Sequence, residues 1–378
     1  MNSTGGADRA AEGPRRGAGA ERGIGAEVAI ARGCRNSPNN RMRAVERLRR
    51  LPAAPCLNRP GPLRPSVRCS SCEAEAVIDQ PYRGTHLCAP HFRESVEDRV
   101  RREMHRQLPR FARGTVAVAL SGGKDSGVAL ALSQRYFRRR PTVRVVALSV
   151  DEGIAGYRAA TLEAARALTG SLGVEHRIVT AQEAIGTTTD RTAAELPGTV
   201  PCSFCGVWRR QLLNRAAREV GADALVLGFN LDDLSQTVLM NLVRGDLDRL
   251  ARMAPHRVRQ PGLVPRVAPL ALIPEREVYL YARLQGIPFD HGECPHAGRA
   301  ARNLFREVVW QLEEAQPGTR QSLLRTHEKL VTRFLREEGA GAAPDRCRAC
   351  GEPSGSGLCR ACEYLEVARA VSPTPEVS

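Results

Sequence analysis

Lysine is almost missing from this chain. Of its 56 basic residues only Lys124 and Lys329 are lysines, and every other positive charge is an arginine. A lysine kept at 124 therefore answers a specific need for a compact point charge. Long apolar runs are missing too: no stretch approaches the ~20 apolar residues that cross a bilayer as a helix. Residues 1–65 offer no apolar core of signal-peptide length after their basic residues. A third absence is the first glycine of G-x-x-x-x-G-K-[ST]. Val118 stands in its place and Asp125 follows the lysine, which excludes an ordinary nucleoside-triphosphatase P-loop.

What surrounds Lys124 is an apolar run over 115–120 that meets Ser121-Gly122-Gly123-Lys124-Asp125-Ser126 and then a helical pattern. That order reads as strand, anion-binding loop and helix. Two glycines let backbone N–H groups crowd an anion without a Cβ in the way, and the helix start adds its positive dipole end. A plain Ser-Gly-Gly turn with an incidental lysine is the ordinary alternative, and the scarcity of lysine weighs against it.

At 378 residues the chain has room for about two domains with appendages. Residues 1–65 hold thirteen arginines against five acids, so they carry +8 of the formal +15 and leave +7 to the rest. That remainder is compatible with a nucleic-acid partner and equally with an arginine-biased surface. The same 65 residues are rich in Gly, Ala, Arg and Pro without hydrophobic period and are expected to be a disordered basic tail. Met42 is an alternative beginning, and Cys34 and Cys56 are bystanders without partners at ligand spacing.

From 96 to 111 apolar positions recur at helical spacing among many arginines. Strand 115–120, a helix to about Tyr136, strand 143–150, helix 158–172 and strand 175–179 then alternate, which predicts an α/β fold with a doubly wound parallel sheet. Ligands of such sheets lie beyond the carboxyl ends of the strands, where both Ser121 to Ser126 and Val150-Asp151-Glu152-Gly153 fall. A polar stretch without a clear period follows Ala181. Next come a helix from Pro201 to about Val220, strand 224–228, and a helix opened by Asn230-Leu231-Asp232-Asp233 with Leu239, Met240 and Leu242 in its apolar set. Acids at that helix start are ordinary caps, or, near a nucleotide, holders of Mg2+. The segment 244–265 is expected to be a loop, either solvated or contacting RNA. Strand 266–272, helix 274–285, a Gly292-Glu293-Cys294-Pro295 turn and helices over 299–316 and 319–338 complete the pattern.

Ten cysteines outside the tail sort into three sets, and paired C-x-x-C spacing argues for metal or redox chemistry in a reducing cytoplasm over disulfides. Cys69-x-x-Cys72, fifteen residues, then Cys88-x-x-His91 can close a tetrahedral zinc site. Cys347-x-x-Cys350, eight residues with three Gly, then Cys359-x-x-Cys362 form a compact four-cysteine zinc ribbon. Four ligands leave no open position, so both sites are expected to be structural. Cys202 and Cys205 sit at a helix start, where the dipole is expected to lower the thiol pKa and favour a thiolate as nucleophile or metal ligand. Cys294 is a distant third cysteine. Cys202 and Cys205 alone would make a disulfide or persulfide couple.

The string SGGKDS after a buried strand resembles the PP-loop of the ATP pyrophosphatase superfamily, whose members split ATP between the α and β phosphates to adenylate a substrate. The ordered set of Cys/His knuckle, SGGKDS, PCSFCG, GFNLDD, GECP and four-cysteine ribbon resembles the tRNA 2-thiolation enzymes of archaea, eukaryotes and some bacteria, over about residues 66–370. The resemblance implies adenylation of a tRNA uridine at its C2 oxygen and displacement of AMP by sulfur from a ubiquitin-like sulfur-carrier protein. Wobble and T-loop uridines are both family substrates. Residue by residue, it implies that Ala119, Ser121, Gly122, Gly123, Lys124, Asp125 and Ser126 line the ATP phosphates and that Val150 and Gly228 line the adenosine. Asp233 takes the catalytic acidic position, and Cys202, Cys205 and Cys294 hold a 4Fe-4S cluster with one iron free. ATP, Mg2+, two Zn2+ and the cluster are the implied cofactors, and a cytoplasmic homodimer is the expected assembly.

The implied domains are a tail (1–65), an N-terminal zinc module (66–95), a PP-loop ATP-binding domain (96–255), a sheet-completing and helical region (256–338) and the C-terminal ribbon (339–378). Two departures stand out. Arg209 replaces a lysine found in some members four residues after the second helix-start cysteine, so a charge stabiliser or phosphate contact replaces any proton shuttle. Phe229 replaces the His of GHNLDD. Competing functions are another PP-loop ligase or amidating enzyme, which would give no reason for the three cysteines, and a non-catalytic zinc-containing RNA-binding protein, against which the intact loop speaks.

Overall fold

The computed structural model describes residues 67–109, 111–253, 255, 260–299, 302–337 and 345–371. The tail with Cys34, Met42 and Cys56, the segment 339–344 and the residues from 372 onward lie outside them.

The central sheet is parallel throughout, in the order β5-β4-β3-β6-β7. Its strands are β3 (Gly114–Ala119), β4 (Val143–Asp151), β5 (Glu175–Thr180), β6 (Ala224–Val226) and β7 (Arg266–Val267). Runs such as Val-Ala-Val in β3 and Val-Val-Ala-Leu in β4 are buried on both faces, as interior parallel strands require. Val116 and Val118 point into one core, with α2 (Lys124–Phe137). Ala117, Val146 and Leu148 point into the other, with Leu212, Leu213 and Ala217 of α6 (Pro201–Glu219). The chain runs outward from β3 through β4 to β5, then returns to the other side of β3 with β6. The strand order therefore reverses between β3 and β6, the crevice where such sheets take ligands.

A small hairpin of β1 (Ile78–Gln80) and β2 (Thr85–Leu87) precedes α1 (Ala89–Gln107), which starts seven residues earlier than the apolar period suggested. Cys88 is its N-cap and Pro90 sits in its first turn, where a missing N–H costs nothing. α1 is tied to α9 (Glu275–Leu284) by a buried Arg99–Glu277 ion pair, with Tyr82 donating to Glu277 Oε1 at 2.6 Å.

The stretch after Ala181 holds two short helices, α4 (Ala181–Ile185) and α5 (Thr189–Glu195). Thr180 and Thr188 cap them by accepting from Glu183 N and Arg191 N. The strand expected over 266–272 is only two residues long: Pro269 has no N–H for a ladder, and the chain turns through Ala271 N to Ala268 O at 3.1 Å. Between β6 and β7 lie α7 (Leu231–Arg244) and α8 (Leu247–Ala251), the latter inside the expected loop. The buried face of α7 is Leu231, Leu234, Val238 and Asn241, and Leu242 is exposed, contrary to the apolar set anticipated. α10 (Arg302–Ala315) and α11 (Thr319–Glu337) lie against α7.

The C-terminal hairpin of β8 (Asp345–Arg346) and β9 (Pro353–Ser354) continues into α12 (Arg360–Val371), a helix that the spacing of ligands did not announce. It packs on α6: Trp208 Nε1 donates to Ala361 O at 3.2 Å, and Phe204 meets Tyr364 edge-on at 6.0 Å. Burying a ring of that size stabilises by roughly 2–3 kcal/mol.

Candidate functional site

The loop Ser121 to Gly123 leaves β3 and enters α2, whose first residue is Lys124. Its fit depends on two glycines. Gly122 has φ +87°, and a Cβ there would lie 1.9 Å from the Thr161 carbonyl oxygen. A Cβ on Gly228, just beyond β6, would lie 2.8 Å from Ser126 N, so the end of β6 and the first turn of α2 approach backbone to backbone. Ser126 Oγ accepts from Ser121 N at 3.1 Å and donates to Gly123 O at 2.9 Å, which closes the loop on itself. Half-buried Ala119 ends β3, and buried Val150 lies at the matching end of β4.

Lys124 Nζ sits 2.9 Å from Asp125 Oδ2 and 2.8 Å from Glu275 Oε1, the first residue of α9. Burial alone would lower its pKa; the two carboxylates outweigh this and hold it above the ordinary value. Burial raises the Glu275 carboxyl, but Lys124 more than offsets that and leaves it lowered. Glu275 is a site residue that no motif marked, because it is 151 positions from its partner.

Asn230 joins the loop to α7. Its side chain donates to Asp125 Oδ1 at 2.9 Å and accepts from Asp233 N at 2.9 Å, while Asp233 Oδ2 accepts from Asn230 N at 3.3 Å. Asn230 is therefore the N-cap of α7 and Asp233 the N3 partner of its capping box. Asp233 also faces Asp125: burial and that like charge push its carboxyl up to about 7, against the pull of Arg302 at 3.7 Å. Asp232 accepts from Glu275 N at 2.7 Å and pairs with Arg320, so it positions α9.

Cys202 and Cys205 occupy the first turn of α6, with Cys202 exposed and Cys205 buried. Cys294, partly buried, packs in the same cluster as Cys205, Phe204 and Trp208, and Cys202 Sγ lies 3.8 Å from His296 O. Arg209, one turn beyond Cys205, lies 3.5 Å from Glu152. The expected lowering of thiol pKa does not hold for Cys205: burial raises it, and the nearby Arg209 charge only partly offsets that. Burial raises Cys294 as well.

Among the described residues, two sets of four ligand atoms lie within 4.8 Å of one another: Cys69, Cys72, Cys88 and His91, and Cys347, Cys350, Cys359 and Cys362. His91 Nδ1 lies 3.2 Å from Cys88 Sγ and 3.5 Å from Cys69 Sγ. Burial works to raise Cys69 and Cys347, but backbone N–H donors outweigh it and bring both to about 6, towards the thiolate that zinc takes. Gln211 of α6 donates to Cys350 Sγ at 3.3 Å. Cys202, Cys205 and Cys294 do not form so tight a set. Three thiols spread around an arginine suit a multi-iron cluster, which holds its thiolates farther apart than one ion does and carries net negative charge.

A parallel sheet with a self-braced glycine loop at its switch point, and a lysine opening the next helix without Walker A geometry, defines a PP-loop nucleotide-binding protein. The chain belongs to the PP-loop family of tRNA 2-thiolation proteins: residues 96–313 match the PP-loop domain and residues 68–93 match the N-terminal LIM domain of 2-thiouridine synthetase TtuA. It is 39% identical to the tRNA 2-thiolation protein NcsA of Haloferax volcanii over 321 residues, 81% of this chain and 100% of that one. It is 35% identical to cytoplasmic tRNA 2-thiolation protein 1 of Caenorhabditis elegans over 300 residues, 79% of each. The solved U34-tRNA thiolase NcsA from Methanococcus maripaludis with its [4Fe-4S] cluster superposes with a TM-score of 0.69 at 32% identity, over 79% of this chain and 95% of that one.

Proposed function

We propose that this protein is an ATP-dependent tRNA uridine 2-sulfurtransferase that acts on uridine 34. The observation that carries the reading is the pairing of Lys124 with two carboxylates at the mouth of a backbone anion loop, which holds a cation at the sheet's switch point. Ser121, Gly122, Gly123, Lys124 and Ser126 take the triphosphate, Asp125 and Asp233 border it, and Val150 and Gly228 flank the adenosine. The uridine O2 attacks the α-phosphorus and pyrophosphate leaves, giving a uridine adenylated on O2, with C2 activated for attack. A hydrosulfide equivalent then attacks C2: the C–S bond forms, the C–O bond breaks with its electron pair going to AMP, and the sulfur's proton passes to solvent.

Cys202, Cys205 and Cys294 would hold a 4Fe-4S cluster, which when bound would supply iron to take up the incoming sulfur. The residues around it present positive charge. Desolvation among its neighbours and repulsion from Arg266, Arg209 and Arg249 lower the pKa of the exposed Arg210, and a polyanion would relieve that repulsion. Zinc in the two four-ligand sites would tie the knuckle to α1 through Cys88 and His91, and the C-terminal hairpin to α12 through Cys359 and Cys362. The sulfur donor in this proposal is a ubiquitin-like sulfur-carrier protein, and the working form is a cytoplasmic homodimer. No helix among the described residues is long and apolar enough to cross a membrane.

The test is anaerobic protein with unmodified tRNA, ATP-Mg2+ and sulfide. AMP, pyrophosphate and 2-thiouridine are expected in equal amounts. Formation of ADP and phosphate with the modified tRNA would overturn the adenylation chemistry.

A further inference from the structure

Two charged side chains are buried together between the anion loop and the cysteine site, and neither reaches a reacting atom. Arg158, which opens α3 (Arg158–Leu172), and Glu152, just beyond β4, are each only 5% exposed. Burying a carboxylate and a guanidinium is costly unless nearly every donor and acceptor is matched. Here they are. Arg158 Nη1 donates to Ser121 O at 2.6 Å and to Thr161 Oγ1 at 2.9 Å, Nη2 donates to Val150 O, and Nε lies 3.0 Å from Glu152 Oε2. The other Glu152 oxygen lies 3.5 Å from Arg209 Nη1.

A continuous polar path thus runs from the Ser121 carbonyl through Arg158 and Glu152 to Arg209, whose charge acts on Cys205 and Cys202. A second tie leaves the adjacent peptide. Gly122 O accepts from Asp290 N at 3.0 Å, and Asp290 lies four residues before Cys294. Both carbonyls of the loop's first two residues are therefore fixed by segments that lead to the cysteines. Arg209 is half exposed and has considerable rotamer freedom of its own; Glu152 is the group that restrains it.

We propose that Glu152 is a positioning residue for sulfur transfer: through Arg158 it takes its place from the phosphate loop, and through Arg209 it sets the cysteine site at a fixed distance from the adenylated uridine. The inference rests on the sulfurtransferase reading above. Its consequence is specific. If Arg209 drifts, adenylation continues while sulfur arrives late, and water instead attacks the adenylate to return uridine and AMP. The quantity that reports the relay is 2-thiouridine formed per AMP released.

The experiment compares wild type, Glu152→Gln, Arg209→Gln and the double variant, with anaerobic protein, tRNA, ATP and sulfide. Wild type should give a ratio near unity. Each single variant should lower it about tenfold or more, the scale of a displacement on the order of 1 Å at a reacting site, while KM for ATP stays within about threefold. The double variant should fall no further than Arg209→Gln alone, because both act through one guanidinium. Glu152→Asp, which keeps a charge for Arg158 and shortens the reach to Arg209, should lower the ratio too and serves if the glutamine variant does not fold. An unchanged ratio in Arg209→Gln, equal falls in AMP and 2-thiouridine, or additive effects in the double variant would each overturn the relay. Wild type that makes no 2-thiouridine would refute the enzymatic reading and not this one.

Discussion

Replacing Lys124 by Ala removes an ammonium that lies 2.8 Å from Glu275 and 2.9 Å from Asp125, and the loss divides into two parts that can be measured apart. The first is stability. The two carboxylates left behind have about a quarter of their side-chain surface exposed, 25% for Glu275 and 26% for Asp125. Removing one partner of a fully buried pair costs about 3–5 kcal/mol, so with this solvent screening about 2 kcal/mol is expected. For a protein of this size that lowers Tm by about 2–3 °C. The second is catalysis. Deleting one positive charge aimed at the phosphates should slow AMP formation about 10^2- to 10^3-fold, ~3–4 kcal/mol of transition-state stabilisation.

Because the two parts have different causes, a second substitution separates them. Lys124→Ala/Glu275→Gln removes the carboxylate repulsion and should regain most of the lost Tm and none of the rate. Thermal unfolding reads the first, and AMP released from α-labelled ATP in the presence of tRNA reads the second. An AMP rate for Lys124→Ala within about threefold of wild type would falsify the assignment of the loop. A double variant that regains rate together with Tm would show that the lysine serves only the fold.

The remaining predictions follow from the same charges and thiols. Asp233 is raised to about 7, so it holds its proton in the folded state after the unfolded chain has released it. Between the ordinary aspartate pKa and 7 the folded state binds more protons, and stability must fall as pH rises. Asp233→Asn should flatten that fall in ligand-free protein, as Tm measured from pH 5 to 8 would show. Cys202→Ala, Cys205→Ala and Cys294→Ala should each lose iron and thiolation while still binding ATP; full activity of Cys294→Ala in an iron-free wild type would transfer the chemistry to a Cys202–Cys205 persulfide. Cys347→Ala and Cys72→Ala should each lose one zinc and keep the iron. Cys347→Ala should also change the fluorescence of Trp208, whose indole donates to the ribbon backbone. Iron lost with normal zinc would mean the ligands were assigned to the wrong metal.

How much of this was legible in the sequence depends on how local each feature is. β3, β4, α2 and α3 could be read because each buries a contiguous or periodic apolar set, and the ligand spacings around Cys69 and Cys347 could be read because zinc chemistry fixes them. α4 and α5 were not found: helices of five and seven residues are too short to show a period, and their only marks are the capping threonines at 180 and 188. The expected strand through 272 failed at Pro269, whose missing donor was a visible signal. α7 presents Leu231, Leu234 and Val238 to the core because α11, α8 and the segment after β7 cover that side, a fact of packing and not of composition. Glu275 and Arg158 carried no motif, and Glu152 was marked only by its place beyond a strand end. Their roles come from pairings across the fold, as does the dominance of burial over the helix dipole at Cys205.

The central claim is that this chain installs sulfur on a tRNA uridine with ATP, and the most direct measurement is mass spectrometry of tRNA from a strain lacking the gene, mapped to position. The account predicts loss of 2-thiouridine at position 34, its return with the wild-type gene, and no return with Lys124→Ala or Cys294→Ala. Unchanged 2-thiouridine in the deletion strain, or full rescue by Lys124→Ala, would contradict it.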